Sequence, residues 1–427
     1  MKLAVAYFIP VFADEAYYYI WSLRPQLSYF DHPPLVSWLI ALGHFFLPEG
    51  NPLSLRISFI IASFFTSLVW LRILKNQKFS TSAIESFLIL LFLNPLLGPG
   101  SVVATPDVPL VLFWSLSYLA FTEIFSSKSK FALYLNYAFL GMSLGLGFCS
   151  KYHIVLFVIS GLIYLCFNQN YKKLNFLGVF LTLLFGFLFS LPVLIWNMEN
   201  DWASFAYQLK HGFGKINYDW RWTVNYYLGQ IALMSPLVFF SLFQKRQEKN
   251  NQVFALTQVG FFTTSSFKAI VEANWPITSH LHATAHFSEN APSKKLKFTY
   301  IYWVVIYALM IVFFNTSAGQ KTLRNQYRAT QMDQLVALVE KYQPLYGPSY
   351  QISSLISWRS HQFIPKLNGL SRFDFFDTLP ESNPTDRKIF ALKHFDSIWP
   401  DKYKKYNKTK LESFDNLQIE LYQLSYD

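Results

Sequence analysis

The sequence predicts a mainly α, polytopic membrane helix bundle followed by a small α/β domain, and three observations carry that expectation. Hydrophobic residues make up 52% of the 427 residues, with 44 Phe and only 14% charged residues, a balance found in membrane proteins rather than soluble ones. Apolar runs recur near 53–74, 83–97, 108–125, 131–148, 151–168, 174–196, 222–243, 252–270 and 298–316, several approaching the roughly 20 residues that cross a bilayer. The runs stop at Thr316, and the ordinary tail that follows holds the mean hydropathy to +0.23. The expected boundaries are a multi-spanning domain over 1–316 and an outer-face domain over 317–427.

Charge sets the topology. The formal net charge of +11 invites a nucleic-acid partner, but the cations fall in short clusters between apolar runs or in the tail, so none is expected. One set of connections carries Lys75 and Lys78, Lys128 and Lys130, Lys172 and Lys173, Lys245, Arg246 and Lys249, then Lys294, Lys295 and Lys297. By the positive-inside rule these face the cytoplasm. The alternate set is then outside: the opening segment, Gly98 to Asp107, the turn at Lys151, Asn197 to Arg221, and everything after Asn315. Parity demands one further crossing between Ala273 and Lys294, although ITSHLHATAHFSENAPS is too polar to be an obvious span. A re-entrant element or a sequence irregularity is the alternative there.

The chain opens on a short apolar stretch, Met1 to Ala13, that reads as the end of a first transmembrane helix, part of its start missing, rather than a cleaved signal peptide. Cys149 and Cys166 lie at opposite ends of one apolar stretch, about 25 Å apart if helical at about 1.5 Å per residue. No disulfide framework is implied. In the tail, Gln320 to Tyr342 reads as an amphipathic helix. Tyr350 to Ile356, Lys388 to Leu392 and Leu417 to Leu424 read as short alternating segments of a mixed α/β fold.

The polar motifs fall on the outer side. DEAYYYIWSLRPQLSYFDHPP, from Asp14 to Pro34, places three carboxylates and a histidine beside apolar segments, where charge is costly and by default lines a watery cavity or a functional site. Asp14 and Glu15 are adjacent, so on a helix they diverge by about 100° and cannot form a close dyad. One faces a cavity while the other braces it, and Glu15 is the better candidate for the brace. Asp31 and His32 precede two prolines that stiffen the approach to the amphipathic run Leu35 to Leu47. Thr105, Pro106 and Asp107 form a helix start, with a capping hydroxyl and an acid at the positive end of the dipole, an account as good as a catalytic one. Lys151 reads equally as a snorkelling lysine. His280, His282 and His286 match no zinc spacing well, and the lone His211 fits a structural role better than a ligand.

The order DEAYYYIW, YFDHPPL, TPDVPL, SKY, WNMENDWASF and EANWP resembles the polyprenyl-phosphate-sugar-dependent glycosyltransferases related to protein O-mannosyltransferases and lipid A aminoarabinose transferases. PSYQISSLISW and LNGLSRFDFFD resemble their outer-face tail more loosely. The resemblance implies a C-type glycosyltransferase fold and transfer of a sugar from a polyprenyl-phosphate donor to lipid A, a surface glycan or a protein, with inversion, at the bacterial inner membrane. It makes Asp14 and Asp107 the catalytic acids. Glu15, His32, Lys151 and Asn274 become substrate contacts, and Asp31 with His211 the contacts for donor phosphate or a divalent metal ion. No organic cofactor is implied. His32 departs from the lysine of the aminoarabinose branch, which leaves the sugar open. A transporter or flippase of a lipid-linked sugar would share such a cavity, but two matching halves with broken helices are not evident. A noncatalytic scaffold fits the gathering of acids on one side less well. The topology predicts that a cysteine introduced near Tyr350 is labelled by an impermeant thiol reagent from outside. Labelling only after permeabilisation would invert the assignment.

Overall fold

Runs of apolar residues with few charges can satisfy their backbone in lipid only as helices, and the chain forms them almost throughout. The computed structural model describes residues 2–214, 218–244, 250–317, 319 and 329–426. The early helices are α1 (Lys2–Phe8), α2 (Ala13–Ser22), α3 (Leu35–Phe46), α4 (Pro52–Asn76), α5 (Thr81–Leu93), α6 (Asp107–Ile124), α7 (Lys130–Ser150) and α8 (Val155–Phe167). There follow α9 (Phe176–Glu199), α10 (Ala203–Phe213), α11 (Trp220–Met234), α12 (Pro236–Ser241), α13 (Asn250–Ser266), α14 (Ile277–Asn290) and α15 (Ser293–Asn315). The tail adds α16 (Ala329–Lys341) and α17 (Tyr350–Ser360). Helices α4, α6, α7, α9 and α15 are long and apolar enough to cross a bilayer. The chain is a multi-pass membrane protein with a mainly α fold and a small C-terminal sheet. The lysine clusters sit at helix ends, as expected, except Lys245, Arg246 and Lys249, which lie outside the described residues.

Two compact units divide the chain. One comprises Met1–Val5, Gln26–Val36 and Ile57–Ala308; the other comprises Ala6–Pro25, Ser37–Arg56 and Leu309–Asp427. Two early segments therefore group with the tail that was expected to stand alone from residue 317.

In the first unit, α6, α7, α8, α13 and α14 enclose an aromatic core around Trp70, Trp114, Tyr118 and Phe254. Helices α7 and α9 touch backbone to backbone, because Gly141 and Gly145 have no side chains to hold them apart. A Cβ at Gly141 would lie 2.3 Å from the Thr182 carbonyl oxygen, and one at Gly145 would lie 2.7 Å from that of Gly186. Small residues four apart allow such close crossings in membranes.

The polar stretch after Pro276 is a helix after all. Every residue of α14 from Ile277 to Ser288 is buried, so the helix answers to protein partners rather than to lipid. Asn94 Nδ2 donates to His280 Nδ1 at 3.0 Å, and His280 Nε2 donates to Gln230 Oε1 at 2.9 Å. Trp114 Nε1 donates to His282 Nε2 at 2.8 Å, while His282 Nδ1 donates to Asn251 Oδ1 at 3.1 Å. His286 Nε2 donates to the Ser241 carbonyl at 3.1 Å. Hydropathy misreads this segment because a fully enclosed helix needs hydrogen-bond partners, not apolar side chains.

In the second unit, the sheet order is β1 (Leu345–Tyr346), β2 (Lys388–His394), β4 (Ile419–Ser425) and β3 (Asn407–Phe414), with β1 parallel to β2 and the other pairs antiparallel. Leu392 pairs with Leu421, and a register shift interrupts β3 between Lys410 and Glu412. Strand β4 follows the alternation in the sequence over Ile419 to Tyr422, whereas Ile389 to Lys393 of β2 are buried without a break. Tyr350 to Ile356, read as a short alternating segment, is the first part of α17, and Ile352 to Trp358 are buried without a break. Its period-two pattern marked no exposed face. Of the expected helix from Gln320 to Tyr342, α16 covers Ala329–Lys341, and Gln320 to Arg328 lie outside the described residues.

Replacing His282 by Leu should strand the buried Trp114 Nε1 and deprive Asn251 of a donor, at about 1–3 kcal/mol for each group left unmet. The thermal midpoint in detergent should fall clearly, and an unchanged midpoint would mean that the network contributes nothing to stability.

Candidate functional site

Three loops far apart in sequence meet at Asp107. The carboxylate opens α6, where the positive end of the helix dipole favours it. Lys151 follows the last residue of α7 in extended conformation. Its Nζ donates to Asp107 Oδ1 at 2.7 Å, and Asn274 Nδ2 donates to Oδ2 at 2.6 Å. Asp107 is 5% exposed and Lys151 6%, so both charges have left water, and removing either would isolate the other at high cost. The ammonium group makes no other hydrogen bond among the described residues, which leaves it two N–H donors for an anion. Pro106 is the N-cap residue and provides no side-chain cap, so the helix start relies on Asp107 rather than on the capping hydroxyl expected at Thr105.

The surroundings bring in more of the expected residues. His32 and Lys151 lie within electrostatic reach of His153, whose ring centroid is 5.7 Å from that of Trp275. His211 lies 5.5 Å from Trp275 on the same measure and stacks on Tyr207 of its own helix, α10. Tyr207 in turn meets Phe30 at 4.8 Å, and Gln208 donates its amide to the Asp31 carbonyl. The Phe30 to His32 loop is thus tied to α10. Beside this ring of residues lies an apolar cavity of about 400 Å³, whose wall includes Tyr152, His153, Phe205, Gln208, Phe262 and Trp275.

Asp14 and Glu15 belong to the second unit, where they are opposites. Glu15 is fully buried. Arg56 grips it with Nε to Oε1 at 2.8 Å and Nη2 to Oε2 at 2.6 Å, and Oε2 also accepts the Phe12 backbone N–H at 3.0 Å. The remaining Arg56 donors reach the carbonyls of Ala6, Ile9 and Pro10 at 2.5, 2.9 and 2.8 Å. With both oxygens engaged, Glu15 is a brace rather than the substrate contact that the resemblance implied. Asp14 is the single exposed residue among Ala13 to Trp21. The Tyr350 hydroxyl donates to its Oδ1 at a long 3.4 Å, and Arg372 lies 4.6 Å over the Tyr350 ring. Burial first, then the charge and hydrogen bond of Glu49, push the Tyr19 phenol up to about 12, so that Tyr19 stays neutral near pH 7 and cannot serve as a base there.

Helix α2 is held from the tail as well. Lys366, fully buried, donates to the Arg372 carbonyl at 2.9 Å, to Asp374 Oδ2 at 2.7 Å and to Asp377. That fixes the loop whose Phe375 N–H donates to the Tyr17 hydroxyl at 2.8 Å. Sequence reasoning gives no site role to Arg56, Tyr350 or Lys366. Arg56 does carry a signal, as a charge inside the apolar run 53–74, where the other, Arg72, lies close to its lysine-bearing end.

Among the described residues, no three His, Cys, Asp or Glu side chains form a group that could hold a metal ion. Asp31 and His211 are not part of any such set.

Comparison with known proteins supplies the frame. Residues 31–196 match the family model of dolichyl-phosphate-mannose-protein mannosyltransferase. The structure resembles that of ArnT from Cupriavidus metallidurans in the apo state, with a TM-score of 0.68 at 12% identity, covering 99% of this chain and 95% of that one. The chain has the C-type glycosyltransferase fold. The same protein bound to undecaprenyl phosphate gives a TM-score of 0.64 at 10% identity, over 99% and 96% of the two chains. In sequence, the chain is 23% identical over 287 residues to the lipid A galacturonosyltransferase RgtD of Rhizobium johnstonii, covering 64% of this chain and 59% of that one. It is 32% identical over 145 residues to the undecaprenyl phosphate-alpha-4-amino-4-deoxy-L-arabinose arabinosyl transferase of Wigglesworthia glossinidia brevipalpis, covering 32% of this chain and 25% of the relative. The chain therefore spans less than two thirds of the length of either curated relative. The resemblance to polyprenyl-phosphate-sugar-dependent glycosyltransferases holds in both sequence and fold.

Glu15→Ala should isolate the buried Arg56 charge and destabilise the fold by about 3–5 kcal/mol, whereas Glu15→Met combined with Arg56→Met should recover much of the loss. Thermal midpoints of the three proteins in one detergent test this. Equal midpoints for the single variant and the parent would remove the brace.

Proposed function

We propose that this protein is a membrane glycosyltransferase. It moves a sugar from a polyprenyl-phosphate-linked donor to lipid A, a surface glycan or a protein at the outer face of a bacterial inner membrane. The observation that carries the reading is the Asp107, Lys151 and Asn274 cluster. Its lysine keeps donors for an anion, and its neighbours Tyr152, His153 and Trp275 line an apolar cavity. A buried cation next to an apolar wall suits a ligand with a phosphate head and a hydrocarbon tail. The lipid A transferase named among the relatives and the polyprenyl phosphate bound by the structural neighbour support the same donor and acceptor classes.

The chemistry follows from the groups. An acceptor hydroxyl attacks the anomeric carbon, a new C–O bond forms, and the bond from that carbon to the phosphate oxygen breaks with its electron pair passing to the phosphate. Lys151 stabilises the charge that grows there. Asp107 and Asn274 orient Lys151, which makes Asp107 a positioning acid rather than the second base or nucleophile. Asp14, exposed on an otherwise buried helix, takes the proton of the acceptor hydroxyl. The reading is a single displacement with inversion. Asp31, His32 and His211 flank the donor-phosphate side, where a divalent ion, if the reaction needs one, would add positive charge.

Asp14→Asn should lower sugar transfer from a polyprenyl-phosphate donor by about 10²–10⁴-fold in membranes holding normal amounts of folded protein. Full activity of that variant would take Asp14 out of the mechanism. Lys151→Met, with activity unchanged, would do the same for the proposed phosphate site.

A further inference from the structure

We propose that the protein carries a binding site for an anionic phospholipid, in a groove between the α11–α12 junction and α15 and away from the residues assigned to transfer. The groove has a volume of about 630 Å³, and its lining includes Ser235, Leu237, Lys294, Lys295, Thr299 and Tyr302. Its walls are apolar, with Ile301 and Val305 each 48% exposed along α15. At one end, Lys294 and Lys295 are exposed in the first turn of α15. From Lys294 to Val305 the helix rises about 16 Å at about 1.5 Å per residue, a length that accommodates an acyl chain and far exceeds a small soluble anion.

Ser235 is the second, independent observation. It is 1% exposed, and its hydroxyl has no partner among the described residues. A buried hydroxyl without a partner is costly, because nothing offsets its desolvation. Its backbone, at φ 73° and ψ 146°, occupies a region that is essentially restricted to glycine and costs a side-chain-bearing residue strain. Ser235 lines the groove, so a rotation of its enclosed side chain on binding would offer the hydroxyl to a ligand oxygen. The Tyr302 hydroxyl, by contrast, already donates to the Ala232 carbonyl at 2.8 Å, which ties α15 to α11 and fixes the groove between them.

Charge complementarity selects the occupant. Lys294 and Lys295 belong to the lysine-rich, cytoplasmic set of connections, and each basic side chain near an anionic leaflet strengthens attachment by roughly fivefold. The phospholipid phosphate sits at Lys294 and Lys295, an ester carbonyl accepts from Ser235, and an acyl chain follows Ile301 and Val305.

The test is native mass spectrometry of the purified full chain in detergent, titrated with phosphatidylglycerol or with phosphatidylcholine of the same chain length. The parent should retain phosphatidylglycerol at least about tenfold more tightly than phosphatidylcholine. The exposed pair Lys294→Gln and Lys295→Gln should erase that preference, Ser235→Ala should weaken binding several-fold, and Lys172→Gln with Lys173→Gln, a second exposed lysine pair, should change nothing. Equal retention of the two lipids, or the same loss from the Lys172 and Lys173 pair, would overturn the site. Preferential filling of the groove by undecaprenyl phosphate, lost with Lys294 and Lys295, would overturn the choice of occupant.

Discussion

Everything in this fold depends on settling polar groups without water. A charge or a hydrogen-bonding group buried in the bundle is tolerated only if a partner is built beside it, and the chain does this in three registers. Asp107 takes Lys151 and Asn274. Glu15 takes Arg56 and a backbone N–H. The histidines of α14 take asparagine, glutamine, tryptophan and carbonyl partners. Each pairing joins segments remote in sequence, so each also fixes which helices lie together. The cost of leaving such a group alone is what makes the arrangement specific.

The same constraint gives similar residues contrasting chemistry. Lys151 is paired without being exhausted, since one contact neutralises its charge while two donors remain. Glu15 is exhausted: an arginine fork and an amide occupy both its oxygens. In the transferase reading the first condition is that of a phosphate contact and the second that of a buttress. Lys366, held between Asp374, Asp377 and a carbonyl, is of the second kind. It supports α2 through Phe375 and Tyr17, without approaching the reacting groups itself.

Much of this is legible in the residues alone. The nine apolar runs form helices because lipid imposes one solution on the backbone, and the order of the short polar motifs is enough to suggest the fold and six residues that fall around Asp107 and α10. What escapes is of two sorts. Helix α14 and the segment from Tyr350 fail the hydropathy and alternation rules because both are enclosed on all sides, and those rules describe elements with two different faces. Arg56 and Lys366 escape because their meaning lies in partners 41 and 8 residues away, and a lone cation in a sequence does not name its acid. Strand β3 goes unread because Leu411 and Phe414 are its only apolar residues and none of its residues is buried.

The order of the two acids at the start of α2 also has a consequence for variation. The glutamate side chain is long enough to meet both the Arg56 guanidinium and the amide three residues back, while the aspartate before it is short and stays at the surface. Exchanging the two would keep the composition, charge and helix propensity of the segment nearly constant, yet it would shorten the inner carboxylate by one methylene and lengthen the outer one. A one-residue insertion before Ala16 would turn both acids by about 100° and carry the glutamate away from Arg56. Across related chains this dipeptide should therefore drift less than its plain appearance suggests, and substitutions at Arg56 should accompany changes at the second letter and not at the first.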